Sequence, residues 1–327
     1  MITRRAGSRN LHLAVYSITL ITGCPTNLLA FYAFYQKLRG KANPSIIFLI
    51  NLTVSDLAFL AFLPFKLVDA SFEEWKLPAF LCPLSGFFYY STIYCSTLFL
   101  TAVSVERYLG VAFPIQYKMY RKPVYAVTVS IFLWICAFAH SSIVYVTEYH
   151  RGENSSNFVV CYDNFTDEQL EILLPFRLEL GIVLYCIPSL ITCFCYGSFI
   201  KILISTENIG KEKKHRAIGL VLATLTVFIV CFTPYNVSHI VGFIQKSSPT
   251  WRSEALLLST FNASLDPIIF YFSSSAVQKS IKRCLHGIAS VLCARRPLQM
   301  LSKLLSKRRD IITNQSANNS QMQCSRL

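Results

Sequence analysis

Residues 82–108 read CPLSGFFYYSTIYCSTLFLTAVSVERY. No charged residue occurs between Cys82 and Glu106. Wound as an α-helix, the run from Cys82 to Arg107 is roughly 37 Å long. The hydrocarbon core of a bilayer is about 30 Å thick, so this rod reaches both headgroup layers. It sets a thiol at one membrane face and the pair Glu106-Arg107 at the other. Tyr89, Tyr90 and Tyr94 lie in the half nearer the thiol. It reads as a rod that carries a signal across, with a lipid-facing spanning helix with two ordinary ends as the alternative.

Its neighbours bear on that choice. Apolar segments occur at 11–35, 45–68, 81–108, 124–147, 173–201, 217–244 and 253–273. An unpaired backbone is too costly in lipid, so each must be a helix. Of 327 residues, 53% are hydrophobic and 15% charged, against about 25% charged in soluble domains. The expected fold class is an all-α membrane protein, a seven-transmembrane-helix bundle with a short amphipathic eighth helix. The segments show no duplicated halves of the transporter kind. Twelve cysteines form no CxxC and keep no His-rich company, so neither a metal site nor a disulfide framework is expected. The net charge of +14 sits beside apolar segments. It suits anionic lipid headgroups and cytosolic loops, not nucleic acid. No catalytic constellation or nucleotide loop is visible, so neither an enzyme nor a cofactor is expected.

The basic loops orient the chain. Lys37, Arg39 and Lys41 follow the first segment, Lys118, Arg121 and Lys122 the third, and Lys211, Lys213, Lys214 and Arg216 the fifth. The loops between carry Asp69, Glu73 and Glu74, then Glu148, Glu153, Asp163, Asp167, Glu168 and Glu171. The positive-inside rule puts the N-terminus outside and the C-terminus in the cytosol, with three loops outweighing Arg4, Arg5 and Arg9. The sequons at Asn154 and Asn164 fit this orientation as glycosylation sites, whereas those at Asn51, Asn236 and Asn262 fall inside helices. No cleavage site closes the first segment early, so it is expected to stay as a span.

The expected domains are 1–10, an extracellular N-terminus; 11–275, the seven-helix domain; 276–295, an amphipathic membrane-surface helix; and 296–327, a disordered cytoplasmic tail. Cys284 and Cys293 could carry palmitate. Ser302, Ser306, Thr313, Ser316 and Ser320 could be phosphorylated.

Polar groups inside spans are expensive and mark function by default. Asn27, Asp56 and Asp266 fall near mid-membrane and could satisfy one another, either as structural hydrogen bonds or as a functional cluster. Pro188, Pro234 and Pro267 interrupt the last three spans and loosen them.

These features, in this order, resemble the rhodopsin-like G-protein-coupled receptors over about residues 11–290. The matching residues are Asn27 after Pro25, Asp56 in NLTVSDLAF, Cys82, Glu106-Arg107-Tyr108 and Trp134. Cys161, Pro188 with Tyr196, Cys231-Phe232-Thr233-Pro234 and Asp266-Pro267-Ile268-Ile269-Phe270 complete the set. The resemblance implies a Cys82–Cys161 disulfide and an activation set of Glu106, Arg107, Tyr108, Tyr196, Asp56, Asp266 and Pro267. It departs from the family pattern at Phe232 (usually Trp), Asp266 (usually Asn) and Phe270 (usually Tyr). Lys213-Lys214 opens the sixth helix and leaves no acidic partner there for Arg107, so Glu106 is the expected alternative.

Within that superfamily VERYLGVAFPIQYK, CYDNFTDEQL, LLPFRLEL, CFTPYNVSHIVGF and NASLDPIIFYFSSS resemble the short-chain free fatty acid receptors, their type 2 branch above all, with LCPLSGF nearer type 3. The resemblance implies a carboxylate held by Arg177, Arg252 and His239, with Tyr90, His140 and Tyr235 lining the site. Asp163 stands where the type 2 branch has Glu. It also implies a plasma-membrane receptor for acetate, propionate or butyrate that signals through heterotrimeric G proteins of the Gi/o or Gq classes. Arrestin and a receptor kinase would act on the tail, and membrane lipid surrounds the spans.

Physical chemistry supports this carry-over. Arginines keep their charge, so two converging in a partly dry pocket repel, and a carboxylate relieves the repulsion with bidentate bonds. Tyr235 and His239 are four residues apart, on one helix face. Each arginine could instead snorkel to lipid phosphate, and a lone mid-helix histidine such as His140 reads either as a packing residue or as a ligand contact. Two further readings are a proton-coupled monocarboxylate transporter and a receptor of the same fold for a longer lipid carboxylate.

Overall fold

A computed structural model describes residues 6–40, 43–72, 75–149, 161–162, 165–207, 209–273, 277–279, 281–284, 286–287 and 290. Asn154, Asn164, Asp163, Cys293 and the tail serines and threonine lie outside these residues.

Among the described residues, seven helices are long and apolar enough to cross a membrane: Gly7–Gly40, Pro44–Ser71, Leu81–Ala112, Pro123–Glu148, Asp167–Ser205, Lys211–Gln245 and Arg252–Phe272. They contain the first six expected segments and all but the last residue of the seventh, and most run further. The fifth span starts at Asp167, not 173, because Thr166 caps it: Gln169 N–H donates to Thr166 Oγ1 at 3.3 Å, and Thr166 N–H to Gln169 Oε1 at 2.9 Å. This reciprocal box extends a helix into polar sequence that an apolar reading misses. The second span opens the same way, with Asn43 Oδ1 accepting from Ile46 N–H at 3.0 Å and Pro44 at the first turn. The first helix already runs from Ala6. Positions 277–279, 281–284, 286–287 and 290 of the expected amphipathic segment are helical.

The third span is the hub. It packs on the second, fourth and fifth, while the first packs on the second and seventh, and the sixth bridges the fifth and seventh. Its hydroxyls turn back on its own backbone, as Thr97 Oγ1 does to Ile93 O at 3.0 Å, so it can be polar and still buried. Trp134 donates from Nε1 to Asn51 Oδ1 at 2.9 Å, locking the fourth span to the second.

Asn27, Asp56 and Asp266 are buried but not bonded to one another. Asn27 Nδ2 donates to Gly23 O at 3.0 Å and Ala263 O at 2.7 Å, and Asp266 Oδ2 accepts from Asn262 Nδ2 at 2.8 Å. Backbone carbonyls and a side chain one turn away lie closer than the other spans' polar groups. Asp56 Oδ2, Asp266 Oδ1 and Asn27 Oδ1 remain buried without a partner.

The fifth span contains a π-helical turn at Ile182–Cys186, ahead of Pro188. Tyr185 within it is hydrogen-bonded to Thr233, the residue before Pro234. Around that second proline, Asn236 Nδ2 donates to Phe232 O and Ser259 Oγ to Cys231 O, both at 2.9 Å. Proline cannot donate and pushes its preceding turn aside. Side chains supply extra donors to the carbonyls of that turn, one of them from the seventh span.

Candidate functional site

The Cys82–Cys161 bridge, with Cα atoms 5.5 Å apart, fixes Cys161 over the start of the third span. The next residue, Tyr162, adopts a left-handed backbone with φ 53°. Its ring meets Tyr90 at 5.4 Å and Phe165 at 5.0 Å between centroids. Phe165 lies under the Arg177 guanidinium, 4.9 Å from its carbon. From there the capped helix runs eleven residues from Thr166 to Arg177, three turns down its buried face.

Arg177 is 3% exposed. Its Nη1 reaches Ser248 Oγ at 3.4 Å, and Nη2 has no partner. Ser248 is brought there by the end of the sixth span, where Lys246 turns left-handed and Ser247 N–H returns to Gly242 O at 3.2 Å. A side chain on Gly242 would press on Ser247 O at 3.1 Å and Pro249 Cδ at 3.2 Å, so the turn packs closely here.

Arg252 enters from the opposite side, at the head of the seventh span. Its Nη2 donates to Tyr235 Oη at 3.0 Å, and Nε has no partner. The guanidinium lies 5.2 Å from the Tyr235 ring and 5.9 Å from that of Tyr90. Those two rings stack at 6.3 Å, tilted by 11°. His239 meets Tyr235 edge-on at 4.6 Å and is 3.1 Å from Tyr94 Oη through Nε2. Among the described residues, Tyr90, Tyr94, Ser141, Tyr162, Leu180, Tyr235 and both arginines line one small cavity, and none of those lining it is acidic. A buried arginine and a partly buried one thus share a small space, cushioned by aromatic faces.

The structure brings Arg177, Arg252, Tyr90 and Tyr235 together on this cavity, with His239 directly behind. It places His140 elsewhere. His140 Nε2 pairs with Glu179 Oε1 at 3.1 Å and Nδ1 with Cys136 O at 2.7 Å, joining the fourth span to the fifth. The chain breaks its helix at Ser142, and Ser141 is the residue turned to the cavity. Tyr94, Tyr162, Ser141 and Ser248 were not expected as site residues. Tyr94 was legible in principle, one helical turn from Tyr90, and Tyr162 as the neighbour of a tethered cysteine; nothing in the sequence pointed to Ser248.

At the far end of the third span, Glu106 is not held to Arg107. It accepts from Ser45 Oγ at 3.2 Å and from Tyr117, and it faces Arg121 Nε at 3.6 Å. Successive helical residues point about 100° apart, so Glu106 turns to the second span and to the short helix Pro114–Tyr120 while Arg107 turns inward. Burial, and then Glu106 itself, raises the Tyr117 phenol above its ordinary pKa, which keeps it a neutral donor. Tyr196 lies beside Arg107 and Thr224. Arg107 Nη1 and Tyr196 Oη are buried without a well-formed hydrogen bond. Tyr108 packs edge-on against Phe194 at 5.7 Å.

Residues 26–270 match the family model described as 7 transmembrane receptor (rhodopsin family). The chain belongs to this family of receptors. It is therefore a multi-pass membrane receptor and not an enzyme. It is 47% identical over 279 residues to free fatty acid receptor 2 of Homo sapiens, covering 84% of each chain. Free fatty acid receptor 2 of Mus musculus is 46% identical over 276 residues, 83% of this receptor and 84% of the relative. Free fatty acid receptor 3 of Mus musculus is 45% identical over 282 residues, 85% of this receptor and 88% of the relative.

Proposed function

We propose that this receptor sits in the plasma membrane with its N-terminus outside, binds a short-chain carboxylate between Arg177 and Arg252, and activates a heterotrimeric G protein through its Arg107 end. The observation that carries this reading is the pair of arginines with unpartnered guanidinium nitrogens on one small cavity, with no acidic residue among the described residues that line it. A carboxylate offers these donors charge-assisted, bidentate bonds. The aromatic wall leaves a small space with room for few carbons. The names of the free fatty acid receptors among its relatives agree with an acid as ligand.

Ligand size limits affinity. Acetate and propionate have about four and five heavy atoms, and the ceiling is about 1.5 kcal/mol per atom. Binding is then at most about 6 to 7.5 kcal/mol, a dissociation constant no tighter than the order of ten micromolar. A hydrogen bond to a charged group is worth about 1.5–3 kcal/mol, so neither arginine is dispensable. The expected outcome is that Arg177→Ala and Arg252→Ala, each shown to be at the cell surface, lose the G-protein response to propionate, and that neutral propionamide fails on the wild type. An unchanged midpoint in either variant, or equal activation by propionamide, would refute the reading.

A further inference from the structure

Hydroxyls in the fourth span return to its backbone. Ser130 Oγ donates to Ala126 O at 2.7 Å, and Ser142 Oγ to Ala139 O at 2.6 Å. Ser141 breaks this habit. It is 1% exposed, and its Oγ has no hydrogen-bond partner. A serine inside a helix ordinarily bonds the carbonyl of the preceding turn, and a buried hydroxyl left unpaired is uncommon and costly. Ser141 also lines the cavity that Arg177 and Arg252 line. The wall next to it is Ile143, Val144, Leu173 and Leu180, which offer nothing polar. The Tyr94 and Tyr235 hydroxyls are already engaged, by His239 and Arg252.

We propose that Ser141 Oγ is a ligand contact and that the receptor prefers short-chain 2-hydroxy acids to the unsubstituted acids. The inference rests on the carboxylate site proposed above. With the carboxylate between the two guanidinium groups, an unsubstituted acid presents only C–H to Ser141 and leaves its hydroxyl unpaired. A hydroxyl on the ligand fills that role, since each group can donate or accept. The cavity is small, so that hydroxyl must sit close to the carboxylate, on the adjacent carbon. A site with a buried group waiting for a hydroxyl discriminates against the analogue that lacks it.

The test compares propionate with 2-hydroxypropionate on the full-length receptor in cells, with surface expression measured. On the wild type, 2-hydroxypropionate should act at a midpoint about tenfold lower than propionate, the worth of one hydrogen bond of this kind. In Ser141→Ala the ratio of midpoints should collapse to about one, and in Ser141→Thr, which keeps the hydroxyl, it should persist. Equal midpoints on the wild type would overturn the proposal without any variant, leaving the carboxylate site standing if propionate still activates. A ratio that survives Ser141→Ala would overturn it too, as would equal weakening of both acids, which would make Ser141 a plain carboxylate contact. No response to either acid would bring down the carboxylate site itself.

Discussion

At the scale of single residues, neighbours in sequence take different roles because the helix turns between them. Glu106 and Arg107 are the clearest case. Glu106 is occupied by Ser45, Tyr117 and Arg121, so Arg107 keeps its charge facing inward, beside Tyr196. Arg107→Ala is expected to leave ligand affinity within about twofold while abolishing G-protein activation, because Arg107 and Cys82 lie roughly 37 Å apart along one helix. Normal activation by that variant would contradict the role. His140 and Ser141 divide in the same way. His140 serves the fourth-to-fifth contact through Glu179, so His140→Ala should keep the propionate midpoint within about twofold, with a lower melting temperature as its main effect. Tyr235→Phe is different, because it removes the acceptor that orients Arg252. A charge-assisted bond is worth about 1.5–3 kcal/mol, so its midpoint should rise about tenfold or more in a concentration–response series.

At the scale of elements, the fifth and sixth spans are joined where both depart from regular helix. The π-turn Ile182–Cys186 carries Tyr185 to Thr233, directly ahead of Pro234. Tyr185 also stacks on Phe228 at 6.0 Å, and Phe228 meets Phe232 edge-on at 5.6 Å. The cavity lies on one side of this junction and the sixth span's long run toward Lys211 on the other, so a shift of either helix is felt at both ends. Tyr185→Phe and Thr233→Val each remove the same bond. Thermal unfolding of the purified receptor should therefore show strong non-additivity, with the double variant little worse than either single one and a coupling of about 1 kcal/mol. Additive losses would mean that the two side chains act separately.

At the scale of the whole molecule, the cavity has Tyr162 and Phe165 as a roof, beside a covalent tie to the third span. Cys82 and Cys161 are 79 residues apart in sequence. A bridge across a loop of that length is worth on the order of 2–5 kcal/mol, and here it also sets Tyr162 against Tyr90, close to where Phe165 meets Arg177. Cys161→Ser is expected to lower the melting temperature and to remove the propionate response together. A variant that loses stability but responds normally would show that the roof contributes nothing to binding. Signalling requires in addition that the ligand bind one arrangement of the spans better than another, since equal affinity for both shifts no population.

The sequence by itself determined the class and the frame. Seven long apolar segments in a chain with so little charge can only be helices in lipid, and the order of Asp56, Glu106-Arg107-Tyr108, Pro188, Pro234 and Asp266-Pro267 assigned each to its place. Its resemblance to the free fatty acid receptors also named Arg177, Arg252, Tyr90 and Tyr235, four of the residues that line the cavity, and the cost of placing arginines near the ends of apolar segments supports that reading. The tertiary structure decided what depends on the angular position of a side chain about its helix and on chain far away in sequence. Which of His140 and Ser141 faces the cavity turns on about 100° of rotation and on a helix break at Ser142 that hydropathy does not register. Whether Glu106 holds Arg107 or Tyr117 depends on a short helix docked beside it. The positions of Tyr162 and Ser248 follow from a disulfide and a left-handed turn, neither of which leaves a periodic trace. Periodicity reports burial of a face; it does not report which neighbour that face meets.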